Sequence, residues 1–187
     1  MKRSVATLLV AGLAMMPAVM RAQSAKAVSV GVSGGLSLPM GDLSDGYESG
    51  FTVAGHIFLK PASLSKVSFR GDVSYDKWEA SSIAGSVLNV SQSTLGITGN
   101  VLFALSSGSG GMQPYLLGGG GMYRTSTSAS VSGLSGSRSS TKPGLQGGAG
   151  IEFKLAGFST FAEAKFVNIF ADGASRNYVP ITFGVKF

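Results

Sequence analysis

The chain has 187 residues, no cysteine and a formal net charge of +6. It is 44% hydrophobic but only 13% charged, against roughly 25% charged in ordinary soluble domains, and its mean hydropathy is +0.29. The absence of Cys excludes disulfides and thiolate metal sites. The positive charge is dispersed and loses Lys2, Arg3 and Arg21 to an expected leader, which argues against a nucleic-acid partner.

At the start, Lys2 and Arg3 precede an apolar run from Val5 to Met20 broken by Pro17, and small residues follow. This three-part pattern predicts a cleavable signal peptide over 1–25, cut within 22–27, and a single domain over 26–187. The run is shorter than the about 20 apolar residues of a spanning helix. No later run approaches that length.

Short alternating segments then take over, at about 27–38, 50–60, 67–78, 92–105, 113–124, 144–155, 158–167 and 178–187. Each is near the ~10 residues that a tilted strand needs to cross a bilayer. In order, one face carries Val28, Val30, Val32, Leu36 and Leu38; Phe51, Val53, Ile57 and Leu59; Val67, Phe69, Val73 and Tyr75; then Leu95, Ile97, Val101, Phe103 and Leu105. It continues with Tyr115, Leu117 and Tyr123; Leu145, Ala149, Ile151, Phe153 and Leu155; and Phe158, Ala162, Ala164 and Phe166. The last segment adds Val179, Ile181, Phe183, Val185 and Phe187.

The opposite face gathers Lys60, Arg70, Asp72, Asp76, Arg124, Glu152, Lys154, Glu163, Lys165 and Lys186, whereas Lys77 alone falls on the apolar face. Connections alternate in length: 39–49, 79–91, 125–143 and 168–177 are long, and 61–66, 106–112 and 156–157 are short. Eight strands with short turns at one end and long loops at the other predict an all-β, antiparallel, up-and-down transmembrane β-barrel. Both termini would lie with the short turns in the periplasm, and the long loops would be extracellular.

With these segments in hand, the chain resembles the OmpA- and OmpX-like small outer-membrane β-barrels of Gram-negative bacteria. The resemblance rests on the closing strand YVPITFGVKF, on PYLLGGGGMYR at 114–124, on GGAGIEFKL at 147–155 and on FAEAKF at 161–166. It implies bacterial outer-membrane localisation, and the 187 residues are expected to hold the barrel only, with no room for a second, peptidoglycan-binding domain. It also implies that Val179, Ile181, Phe183, Val185 and Phe187 form a C-terminal signal read by the barrel-assembly machinery.

An eight-stranded barrel is just wide enough for side chains to fill it, and unpaired buried charges are costly. The inward charges are therefore expected to pair: Arg70, Asp72, Arg124, Glu152, Lys154, Glu163 and Lys165 form the expected lumen network. Arg70, Glu152, Lys154, Glu163 and Lys165 are placed at mid-barrel. The glycines Gly118, Gly120, Gly148 and Gly150 are expected to face inward and free volume. His56, the sole histidine, points inward, but no Ser and acid at recognisable catalytic positions accompany it, so neither catalysis nor a cofactor is expected.

The expected role is structural or surface-interacting, with outer-membrane lipid as surroundings and an extracellular partner reached through loops 79–91 and 125–143. The Ser/Thr/Gly-rich 125–143 reads as a solvated loop, with strand extension around Ala129 and Val131 as the alternative. A narrow small-solute pore and an outer-membrane lipid-modifying enzyme are the alternative functions.

Overall fold

The computed structural model describes residues 28–80, 89–106, 111–131, 134–171 and 174–187. The expected leader at 1–25 and most of the loop at 79–91 lie outside the described residues. Eight antiparallel strands close into one barrel in sequence order. They are β1 (Val28–Met40), β2 (Gly50–Leu59), β3 (Val67–Glu79), β4 (Asn89–Ala104), β5 (Met112–Val131), β6 (Leu134–Lys154), β7 (Ser159–Ala171) and β8 (Ala174–Lys186). Closure is made by β8 against β1, from Gly31↔Lys186 to Met40↔Asn177, so no edge runs the height of the wall.

Alternation sorts the side chains, because successive residues of a strand point to opposite faces. Val32, Leu36, Val53, Ile57, Phe69, Val73, Ile97, Val101, Phe166 and Phe183 stand exposed on the outside, while Thr52, His56, Arg70, Asp72, Asn100, Glu163, Lys165 and Thr182 are buried inside. Exposed apolar residues around a closed sheet suit lipid rather than water.

β5 runs in the opposite phase to that expected. Tyr115, Leu117 and Tyr123 are buried in the lumen, and Leu116 and Met122 are exposed. The four glycines 118–121 carry no phase, and Leu116–Leu117 and Met122–Tyr123 put bulky apolar groups on both faces. The inside wins because it offers the tyrosine hydroxyls acceptors: Glu163 for Tyr115 and Gln146 for Tyr123. Gly118 and Gly120 consequently face outward.

The inward glycines make sockets for rings. A Cβ at Gly184 would overlap the Phe161 ring and one at Gly150 the Tyr115 ring, while Gly96 and Gly144 flank Tyr123.

The segments expected as loops at 125–143 and 168–177 are largely strand. The β5–β6 ladder continues from Arg124↔Thr141 to Val131↔Leu134, and β7–β8 from Asn168↔Asn177 to Ala171↔Ala174. Polar residues on both faces leave no hydrophobic period to read in the first.

The wall splits above Gly144↔Ile169, the last β6–β7 rung. Lys154 N–H bonds Gly111 on the β5 side, so odd-numbered β6 residues aim their backbone groups at β7. Pro143 is one of these and has no N–H to give.

Two apolar layers close the interior. Near the turns lie Phe58, Leu102, Tyr115, Leu117 and Phe161. Toward the opposite mouth lie Trp78, Tyr123, Val167, Ile169 and Tyr178, joined by Leu43. Leu43 reaches them because the β1–β2 connection folds inward through a single 3-10 turn, Gly41–Leu43, begun by Gly41 at φ +60.

Candidate functional site: the polar layer of the lumen

Between the apolar layers a polar band crosses the barrel. β3 and β7 face each other across the lumen and supply its centre. Arg70 Nη1 and Nη2 donate to Glu163 Oε2 and Oε1 at 2.7 and 2.9 Å, a bidentate pairing that suits the guanidinium fork. Arg70 Nε lies 2.8 Å from Asp72 Oδ1, off the angle of a hydrogen bond, so that contact is purely ionic. Lys165 Nζ stands 3.9 Å from Asp72 Oδ2 and 3.7 Å from Glu163 Oε1. Two cations and two carboxylates thus cancel, which is what makes their joint burial tolerable.

Neutral groups extend the network. Tyr115 donates to Glu163 Oε2 at 2.8 Å and Asn100 Nδ2 to Asp72 Oδ2 at 3.0 Å. Gln146 Nε2 donates to Asn100 Oδ1 at 2.6 Å and receives Tyr123 O–H on Oε1 at 3.1 Å. Nearer the far mouth, the buried Asp76 accepts from Ser37 Oγ at 3.0 Å and Tyr178 O–H at 3.4 Å.

His56 bridges this network to β1. Its Nδ1 is 2.8 Å from Asp72 Oδ1 and its Nε2 2.8 Å from Ser33 Oγ. Both ring nitrogens are thus engaged: Nδ1–H donates to the Asp72 carboxylate, and Nε2 shares its hydrogen bond with the Ser33 hydroxyl, a group able to donate or accept. The order Ser33–His56–Asp72 has the connectivity of a nucleophile, base and orienting acid. Its surroundings differ from those of a reaction centre. The β1 backbone around Ser33 is taken up in ladders on both sides, Asp72 also serves Arg70, Lys165 and Asn100, and apolar layers lie above and below.

Of the expected network, the structure brings together Arg70, Asp72, Glu163 and Lys165. Arg124 does not join: with the inverted phase of β5 it is exposed on the outer face, its Nη2 3.3 Å from Ser139 Oγ. Glu152 and Lys154 are inward by register but belong to the turn-end opening rather than mid-barrel, because β6 ends at Lys154. There Lys186 Nζ reaches Glu152 Oε1 at 2.6 Å, while Lys154 is exposed.

Sequence reasoning missed Ser33, Asn100, Gln146 and Tyr115. A signal for one pairing was present: His56 and Asp72 stand at equal distances either side of Leu64 and are direct partners in the β2–β3 hairpin. In β8, Ile181, Phe183 and Phe187 are exposed on the outer face, with Val179 and Val185 half-buried on that face. Among the described residues no group of His, Asp and Glu is arranged to hold a metal ion.

The family model described as "Outer membrane protein beta-barrel domain" matches residues 5–187. No curated protein sequence matches significantly. Among solved structures, the chain is similar to Neisserial surface protein A (NspA) at 14% identity and TM-score 0.61, covering 86% of this chain and 96% of that one. It is likewise similar to Ail, the attachment invasion locus protein of Yersinia pestis, at 18% identity and TM-score 0.53, covering 86% and 97%. A major outer membrane protein from Thermus thermophilus matches at 12% identity and TM-score 0.61, covering 86% and 99%. At these identities the likeness is one of fold.

Proposed function

Because the chain belongs to the outer membrane protein beta-barrel domain family, and so is a barrel of the bacterial outer membrane, we propose that it is a sealed, non-catalytic scaffold presenting the β5–β6 hairpin to the cell exterior. The observation that carries this reading is the continuation of the β5–β6 ladder to Val131↔Leu134. The seven rungs beyond Arg124↔Thr141, at roughly 3.3 Å each, would rise about 20 Å along tilted strands. The segment is rich in Ser and Thr, which suits water and hydrogen-bonding partners rather than lipid. The termini are then periplasmic, and the partner contacts lie along 125–143 and beside 79–91. A likeness in fold to a protein named for attachment supports an adhesive role.

Trypsin added to intact cells should cut at Arg138, and cells carrying a hairpin-shortened chain should lose adhesion to host-cell surfaces. A hairpin protected from trypsin in intact cells would sink the orientation and the role together.

The Ser33–His56–Asp72 arrangement favours a second reading, hydrolysis or acyl transfer on a lipid. A fluorophosphonate probe should leave Ser33 unlabelled in the folded barrel, and stoichiometric labelling lost in His56→Ala would replace the scaffold reading with the enzymatic one.

A further inference from the structure

The turn-end opening of the barrel has a composition that the scaffold role does not use. It is a bowl of about 690 Å³, lined by Lys60, Lys66, Lys154 and Lys186 and floored by Phe58, Leu102 and Tyr115. We infer that this bowl is a binding site for a small soluble organic polyanion carrying two or more phosphate or carboxylate groups.

Charge balance comes first. Glu152 is the one carboxylate lining the bowl, and it is engaged by Lys186 at 2.6 Å. Among the described residues no carboxylate pairs with Lys60, Lys66 or Lys154. Three ammonium groups on one concave rim repel each other, and low-dielectric walls concentrate their field on the space between them. A multivalent anion in that space relieves the repulsion at each of them.

Direction comes second. Lys154 and Lys186 occupy inward positions of β6 and β8, in phase with Glu152 and Gly184, and Lys60 continues the inward phase of His56 and Phe58. These side chains therefore leave the wall on the lumen side, where all three line the bowl. The outer face at this height is apolar, with Val28, Leu59, Phe69, Phe103, Phe153 and Phe158 exposed. The arrangement is turned toward a solute entering along the axis and away from the headgroups around the wall.

The floor is the third feature. Phe58 and Phe161 meet edge to face at 6.2 Å, and Lys186 Nζ lies 5.1 Å from the Phe58 ring centre. An apolar base under a cationic rim accommodates a carbon skeleton below and charged groups above. The volume falls within the ~300–1,000 Å³ of small-molecule sites. On the orientation proposed above, the bowl opens to the periplasm, although its chemistry is the same in either orientation.

The test uses the full chain folded into nanodiscs of zwitterionic lipid, titrated calorimetrically with tripolyphosphate and with inorganic phosphate. Saturable binding of one tripolyphosphate per barrel is expected, tighter than inorganic phosphate and weakened by salt. The pair Lys60→Gln with Lys154→Gln should weaken it about tenfold or more. The pair Arg138→Gln with Arg176→Gln, at the opposite mouth, should leave it within about twofold. Both lysines are exposed and unpaired, so the variants should keep the heat-dependent gel shift of a folded barrel. Absence of saturable heat, or equal loss from the arginine pair, would overturn the site. A further arm repeats the titration in nanodiscs carrying anionic lipid: unchanged affinity supports a soluble ligand, and competition by the lipid would overturn that assignment in favour of a headgroup.

Discussion

Arg70 shows how one residue can organise a lumen. Its guanidinium makes two hydrogen bonds to Glu163 and the close contact to Asp72, so removing it leaves two buried carboxylates with Lys165 as their one nearby cation among the described residues. Arg70→Ala should therefore cost about 3–5 kcal/mol, read as a lowered urea midpoint for loss of the heat-dependent gel shift. Arg70→Ala combined with Glu163→Ala should cost less than the sum of the two single changes; strict additivity would mean that the pair is not coupled. Gly184→Val is the steric counterpart. It forces the Phe161 ring from its socket and should cost about 1–3 kcal/mol by overpacking in the same assay. Alternation alone assigned Arg70, Asp72, Glu163 and Lys165 to the polar face, because each sits in a strand with a clear apolar partner phase. Alternation does not encode height along the strand, but distance from the turn does: Glu152 and Lys154 lie within five residues of the short turn at 156–157, which already places them at the strand end where β6 stops. In β5 the glycine run erased the phase itself, which displaced Arg124.

Among elements, the β5–β6 hairpin departs furthest from sequence expectation, and the reason is composition. A strand with one apolar face has a legible period, whereas 125–143 is polar on both faces and its Ser/Thr alternation resembles a loop. If the extension is independent of the barrel, replacing 125–140 with a two-residue Asn-Gly turn should leave the urea midpoint within the equivalent of about 1 kcal/mol, and a larger fall would show that the hairpin helps hold the wall. β8 from Tyr178 onward is the opposite case: its alternation, its outward Phe183 and its pairing with β1 were readable because Val179, Ile181, Phe183 and Val185 keep one face apolar, whereas Ala174–Asn177 read as loop. Removing Phe187 deletes an exposed aromatic and the acceptor for Val30 N–H. The expected outcome is slowed insertion in cells with a normal urea midpoint once folded, checked by pulse-labelling; a normal insertion rate would remove the proposed assembly signal.

At the scale of the molecule, the barrel is two apolar plugs enclosing a neutralised polar layer. An ion crossing it would have to pass Phe58, Leu102 and Phe161, displace the Arg70–Glu163 pair, and then pass Trp78, Tyr123 and Tyr178. Planar bilayers containing the purified protein should therefore show no steady conductance, and a persistent open level would establish the pore reading. The closed eight-stranded architecture was legible because every strand but β5 carries a clear outward apolar stripe. The plugs were not, since an inward Phe161 or Val167 looks like noise against that stripe. The plug at the long-connection end has a practical consequence. Trp78, the chain's single tryptophan, is 1% exposed, donates its indole N–H to Ser37 O at 3.0 Å and meets Tyr178 edge-on at 4.9 Å. Fluorescence from this one indole reports the integrity of the mouth at the long-connection end alone, which turns the native chain into an unlabelled optical sensor for whatever opens it.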